Sequence, residues 1–154
     1  MKHTRSAATR FKMIAAAYPF FVRDGKILLS LRKNTGYADG MYSLPAGHVE
    51  DGETITDCLV REAKEEIGVT IESRHVSLVH VMHRKEEDTR MDFFFEVHAW
   101  TGEPVNREPD KCGGLLWCPI GALPDTMVPY IRAAIEQWQK GTIYSERGWP
   151  ARNA

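Results

Sequence analysis

Apolar positions change period several times along the chain, and the changes divide it into short elements. Phe11 to Val22 is apolar almost throughout, and Tyr18-Pro19 breaks the run. It reads as a buried strand rather than a membrane span or an export signal. Arg23-Asp24-Gly25-Lys26 puts Asp-Gly at the centre of a tight turn, and Ile27 to Arg32 returns as a second strand. Asn34 to Gly40 is a loop of turn formers, and Met41 to Leu44 is a short extended piece that leads into Pro45-Ala46-Gly47. Over 55 to 67 the period becomes helical, with Ile55, Leu59, Ala63 and Ile67 on one apolar face. Thr54 or Gly52 stands where a cap belongs, and Gly68 stands where a helix ends.

Val76 to Met82 and Asp92 to Trp100 follow as strands on either side of a charged loop, Arg84 to Arg90. In the second of them Phe93, Phe95, Val97 and Ala99 share one face, and Phe94, Glu96, His98 and Trp100 share the other. Leu115 to Cys118 is a short strand, and Pro129 to Lys140 is a helix with Ile131, Ile135 and Trp138 on one side. The polar start, 1–10, is expected to be a flexible arm, and 141–154 an irregular tail. Between them 11–140 reads as one domain, with no repeat and no separating linker. A hairpin followed by mixed helices and strands predicts an α/β fold, a mixed sheet with helices packed on its faces.

Composition narrows the function classes. With 154 residues, 43% apolar and 27% charged, the chain suits one globular core rather than disorder. Twenty basic against 21 acidic residues leave no general electrostatic grip on nucleic acid. Cys58, Cys112 and Cys118 are sparse and contain no C-x-x-C pair. They argue against a disulfide framework or a zinc site, and a cytoplasmic protein with reduced thiols is expected.

The chemistry concentrates in Gly47-His-Val-Glu-Asp-Gly-Glu53 and, seven residues on, Arg61-Glu62-Ala63-Lys64-Glu65-Glu66-Ile67-Gly68-Val69. On a helix, positions 62, 65 and 66 project their carboxylates from one face. Like charges at that spacing repel, so folding alone gives no reason to gather them. A solvated acidic face paired with Lys64 and Arg61 is the plain reading of such a cluster. A hard cation such as Mg²⁺ or Mn²⁺ supplies a reason, because it takes oxygen ligands and offsets the repulsion. Glu53 and Arg61, at the two ends of the unit, are placed to hold the loop against the helix.

This segment resembles the Nudix box, G-x5-E-x7-R-E-U-x-E-E-x-G-U, where U is a bulky aliphatic. Gly47, Glu53, Arg61, Glu62, Glu65, Glu66 and Gly68 meet every fixed position, and Val69 meets the last U. Ala63 at the inner U is smaller than the usual residue. Seven fixed residues match by chance at one position with a probability on the order of 10⁻⁹, so the signal is specific. The likeness to MutT-type members continues outside the box. Arg32, fifteen residues before Gly47, resembles an arginine that contacts substrate phosphates. Thr101 to Glu108 resembles the loop that delivers a further acidic ligand, here Glu108, with Glu103 and Asp110 as rivals. Leu115 to Pro119 and Leu123-Pro124 resemble the last strand and turn.

The resemblance implies the Nudix fold, a mixed β-sheet sandwiched between α-helices, and Mg²⁺-dependent cleavage of a diphosphate bond, Mn²⁺ being an alternative ion. It implies Glu62 and Glu66 as metal ligands, Glu65 as a further ligand or a water-orienting group, and the Gly47 carbonyl and Glu108 as completing the set. Glu53 and Arg61 become box architecture in direct support of catalysis, and Arg32 becomes a substrate contact. Glu62, Glu65 and Glu108 all remain open as the general base. His48 beside Gly47 invites a ligand reading, but Mg²⁺ prefers oxygen.

The substrate implied is a small nucleotide, a nucleoside diphosphate linked to a group X, and a nucleoside triphosphate is favoured. The base-reading asparagine of MutT-type members falls near Thr126 or Met127, and neither carries that amide. The proline expected of ADP-ribose members about fifteen residues past the box is missing, the next being Pro104. Tyr37, Tyr42, Phe94 and Trp117 are available to stack on a base or to fill the core. The alternatives are an ADP-ribose, nucleotide-sugar or dinucleotide pyrophosphatase, and a non-catalytic nucleotide sensor. No membrane association is expected, and a homodimer stays open.

Overall fold

The protein is described by a computed structural model over residues 10–152. Its elements run β1 (Ile14–Arg23), β2 (Lys26–Arg32), β3 (Tyr42–Ser43), β4 (Gly47–His48), α1 (Ile55–Ile67), β5 (Val76–Lys85), β6 (Thr89–Val97), β7 (Cys112–Pro119), α2 (Pro129–Gln139) and β8 (Tyr144–Arg147). The expected arm, 1–10, lies outside the described residues except for Arg10.

One eight-stranded sheet has the order β3-β2-β1-β6-β5-β8, with β4 added to β1 and β7 to β2. β1 runs parallel to β6 and β5 parallel to β8, while the other pairs are antiparallel, so the sheet is mixed as expected. Both faces are covered. Ala17, Phe21, Phe95 and Val97 pack with Leu59, Ala63 and Ile67 of α1. Tyr18, Phe20, Met82 and Phe94 pack with Ile131, Ala134 and Ile135 of α2. A strand buried on both faces reads as a nearly continuous apolar run, which is why β1 is apolar almost throughout in the sequence.

Helix α1 occupies the range its periodicity predicts. Thr54, not Gly52, caps it: the Thr54 hydroxyl accepts from the Asp57 amide and the Asp57 carboxylate accepts from the Thr54 amide. Gly68 ends it with φ 74°, the left-handed conformation that glycine adopts without a Cβ penalty.

Three expectations change. The charged loop Arg84 to Arg90 shrinks to three residues, because β5 and β6 pair as far as Lys85–Thr89. The tail is not irregular throughout, since β8 forms a parallel edge beside β5 from Val81–Tyr144 to Arg84–Arg147. The strand expected at Leu115 to Cys118 extends from Cys112 to Pro119 and pairs with most of β2. No helix among the described residues is long and apolar enough to cross a membrane.

The pairing of β1 decides where a site forms. It meets β2 only beside the turn, at Val22–Ile27 and Arg23–Lys26. Beyond that the strands diverge, and β1 takes β4 through Ala16–His48 and Ala17–Gly47 instead. Ala16 and Tyr18 from one strand and Ser30, Leu31 and Arg32 from the other then line a shared cavity of about 970 Å³.

Candidate active site

Helix α1 presents its acidic face to one end of this cavity, where Arg61, Glu62, Glu65, Glu66, Gly47 and Glu108 all contribute to the lining. Arg61 organises the helix side. It donates from Nε and Nη2 to the two Glu53 oxygens at 3.0 and 2.7 Å, and from Nη1 to Glu62 at 2.8 Å and Glu65 at 3.3 Å. The Arg61 hydrogen bonds and the Glu50 amide hold the Glu53 carboxyl down at about 2, so Glu53 is an ionised brace across the box. Arg61 is correspondingly held above its ordinary value, chiefly by the hydrogen bond to Glu53.

Gly47 stands directly over Glu62. A Cβ built there would land on the Glu62 carboxyl group, so only glycine leaves room for that side chain. The fixed glycine of the box is thus a matter of space, not of a special φ. The Gly47 carbonyl accepts a weak bond from the Cys58 thiol at 3.5 Å. That thiol is buried and pushed up to about 12 by burial and by Glu53, so it is not a thiolate ligand.

Glu66 lies deeper. Its carboxylate accepts from the Ala46 amide at 3.0 Å, while burial and the charges of Glu62 and Glu108 push its carboxyl up to about 8. Burial also raises Glu62, against the pull of Arg61. Glu108 reaches the same cavity because its loop is fastened to the end of α1. The Arg107 amide donates to the Glu66 carbonyl at 2.9 Å, and the Val105 amide to the Ile67 carbonyl at 3.0 Å. The rivals fall elsewhere: Glu103 pairs with Arg23 at 2.7 Å, and Asp110 is absent from the lining.

The donors assembled here are oxygens: two or three carboxylates and a backbone carbonyl, with surplus negative charge. Such a set fits a hard divalent cation. Among the described residues no three acidic, histidine or cysteine side chains are yet gathered as a finished cage. Glu62 is turned to Arg61 and Glu66 to the Ala46 amide.

Arg32 lines the same cavity but is tied to its own loop. Its Nε donates to the Tyr37 carbonyl at 2.7 Å and its Nη2 to the Thr35 hydroxyl at 2.9 Å. Asp39 fixes that loop by accepting from the Thr35 hydroxyl and from the amides of Thr35 and Gly36. His48 does not join the carboxylates; its ring Nε2 lies 2.9 Å from Arg90 Nη1. Of the four aromatics considered for stacking, Tyr37 lines the cavity, Phe94 is fully buried, and Tyr42 and Trp117 lie outside the lining. Met127 is 2% exposed and belongs to the core.

The far end of the cavity is what the sequence reading missed. Arg84, assigned to a loop, is buried on β5. Its Nε donates to Asp92 at 2.7 Å, and its Nη1 lies 2.8 Å from Glu86. Its guanidinium carbon sits 3.6 Å from the centre of the Tyr130 ring. Tyr18 adds bonds to Asp92 at 3.4 Å and to Tyr130 at 3.1 Å. A signal was present: Arg84 falls in phase with buried His80 and Met82, and Asp92 with buried Phe94. A charged residue at a core-facing strand position needs a buried partner.

Comparison with known proteins agrees with the fold. The family model of the NUDIX domain matches residues 11–138. A CTP pyrophosphohydrolase from Escherichia coli is 32% identical over 127 residues, covering 77% of this chain and 85% of the relative. A NAD-capped RNA hydrolase NudC from Chromobacterium violaceum is 32% identical over 119 residues, but this chain spans only 43% of that relative's length and 77% of its own. Among solved structures, a MutT NUDIX hydrolase from Burkholderia pseudomallei superposes with a TM-score of 0.75 at 30% identity, over 82% of this chain and 98% of the other. With the box complete, Glu62, Glu65 and Glu66 lining one cavity and residues 11–138 matched by the family model, the chain belongs to the Nudix hydrolase family.

Proposed function

We propose that the protein hydrolyses a diphosphate bond in a small nucleoside diphosphate-X compound, a nucleoside triphosphate first of all, with Mg²⁺ as the working ion and Mn²⁺ as a substitute. The observation that carries this is that Glu62, Glu66, Glu108 and Gly47 line one open cavity that Arg32 also lines, with Glu62 directly against Gly47. The E. coli CTP pyrophosphohydrolase, matched over most of its length, supports a small substrate.

In this reading Glu62, Glu66, Glu108 and the Gly47 carbonyl hold the ion, and Glu65 adds a ligand or orients the water. A bound Mg²⁺ would neutralise phosphate charge and acidify its water. Glu62, Glu65 and Glu108 are the carboxylates that stand to accept the proton of the attacking water. Arg61, fully committed to Glu53, Glu62 and Glu65, keeps these groups in place rather than touching substrate. Arg32 meets the phosphates with whatever its guanidinium does not spend on Tyr37 and Thr35.

The test is a panel of nucleoside triphosphates, ADP-ribose, NAD and nucleotide sugars, incubated with protein and Mg²⁺ and resolved by chromatography. A nucleoside triphosphate giving monophosphate and pyrophosphate is the expected result. Nucleotide binding without turnover of any diphosphate would replace the enzyme by a sensor.

A further inference from the structure

Of the carboxylates proposed to hold the ion, Glu108 alone stands outside α1. The helix sets the spacing of Glu62, Glu65 and Glu66 by itself, whereas a loop residue needs a restraint of its own. The restraint also has to oppose a force. Glu108 adds its charge to those that raise the Glu62 and Glu66 carboxyls, and Lys111 offsets this for Glu66 only in part. Without a cation, like charge would carry a loose Glu108 away from the helix.

Asn106 closes the loop that prevents this. Its Oδ1 accepts from the Glu108 amide at 3.1 Å, an Asx turn. Its Nδ2 donates to the Cys112 carbonyl at 2.8 Å. The two partners fix the orientation of the side-chain amide, since a flip would set donor against donor and acceptor against acceptor. Inside the ring so closed, the Lys111 and Cys112 amides donate to the Glu108 carbonyl at 2.9 and 2.8 Å. Both backbone groups of Glu108 are therefore taken, one by Asn106 and one by the turn that Asn106 closes. The ring is also fastened to both walls of the cavity. On one side the Arg107 amide donates to the Glu66 carbonyl at 2.9 Å. On the other, Cys112 stands opposite Arg32, and the Lys33 amide donates to the Lys111 carbonyl at 2.9 Å.

Asn106 itself does not line the cavity. From this geometry, and resting on the reading above in which Glu108 is a metal ligand, we infer that Asn106 is a positioning residue for the ion: it holds Glu108 toward the α1 carboxylates. Its effect on the ion passes through Glu108 and through no contact of its own.

The test is a double-mutant cycle read by calorimetric titration with Mg²⁺ alone, without nucleotide, in the wild type, Asn106→Ala, Glu108→Ala and the double variant. Asn106→Ala should weaken Mg²⁺ binding about tenfold in the wild-type background, the scale of losing a group that orients a ligand. In the Glu108→Ala background the same substitution should cost less than about twofold, because no ligand is left to position. An equal loss in both backgrounds overturns the inference and makes Asn106 a general structural residue. Wild-type affinity in either single variant overturns it as well. Circular dichroism checks each fold. Should Asn106→Ala fail to fold, Asn106→Ser takes its place in the cycle. The serine hydroxyl still accepts from the Glu108 amide but is too short to reach Cys112, so a loss of about threefold, again confined to the background that keeps Glu108, is expected. The titration needs no substrate, so the two readings fail separately. A cycle with the expected coupling in a protein that cleaves no diphosphate would sink the pyrophosphohydrolase and leave Asn106 in its role. Turnover with an additive cycle would do the opposite.

Discussion

At one end of the cavity Glu62 and Glu66 are drawn together on α1, and burial raises both carboxyls. At the other, Arg84 and Asp92 are buried more deeply, yet each supplies the other's counter-charge at 2.7 Å. The first cluster is unfinished without a cation, and the second is finished by the chain itself. Burial of charge therefore does not mark an active site on its own. The distinguishing feature is charge that the protein gathers and does not balance.

The sharpest way to break the comparison is to neutralise one carboxylate at each end. Glu66→Gln should lower kcat by about a thousandfold while the fold persists, since it removes a ligand charge from a cluster already in surplus. A turnover near that of the wild type in that variant would sink the metal assignment. Asp92→Ala should do the reverse. It strands the Arg84 charge in the core and costs about 3–5 kcal/mol, read by urea denaturation. A loss below about 1 kcal/mol would mean that Arg84 finds water or Glu86 instead.

The unfinished end should also respond to pH. With its carboxyl pushed up to about 8, Glu66 holds a proton near neutrality until a cation displaces it. Apparent affinity for Mg²⁺ should rise up to about tenfold per pH unit and level off above about 8, measured by calorimetry. The sign for stability follows from a folded value above the ordinary 4.5. The contribution of protonated Glu66 is complete below about 4.5 and is lost as pH rises through about 8. In chelator, the wild type should therefore lose melting temperature between pH 5 and pH 9 relative to Glu66→Gln; parallel curves for the two would refute the raised value. The smallest effect is expected from Arg32→Ala, a rise of about tenfold in KM for the nucleotide at nearly constant metal affinity. An unchanged KM would remove Arg32 from the phosphates.

Much of the acidic end was legible because its signals are local. The four-residue recurrence of Ile55, Leu59, Ala63 and Ile67 fixes a helix, and a helix fixes which carboxylates share a face. Glu53 and Arg61 meet at 2.7 Å because both belong to that helix and its entry loop. The far end was not legible because its partners come from separate strands. Tyr18 and Asp92 are 74 residues apart, and Tyr18 and Tyr130 are 112 apart. Hydrophilic residues at Arg84 to Arg90 looked like a loop since nothing nearby reveals that Tyr130 will cover Arg84. The tail was misread for a similar reason. Four residues of β8 carry too short a pattern to identify, and the strand exists because β5 offers it an open edge.

Glu66 is held twice, its carboxylate by the Ala46 amide and its backbone carbonyl by the Arg107 amide. That second bond brings Glu108 within one residue of a fixed point on α1. The chain between Gly68 and Glu103 leaves the end of the helix and is brought back to it, with β6 packed under α1 through Phe95 and Val97. The turn 86–88 lies beyond the last β5–β6 pair, Lys85–Thr89, and it can be lengthened or re-sequenced while the acidic face of α1 stays where it is. Substrate range in this architecture can drift while the hydrolytic chemistry stays where it is.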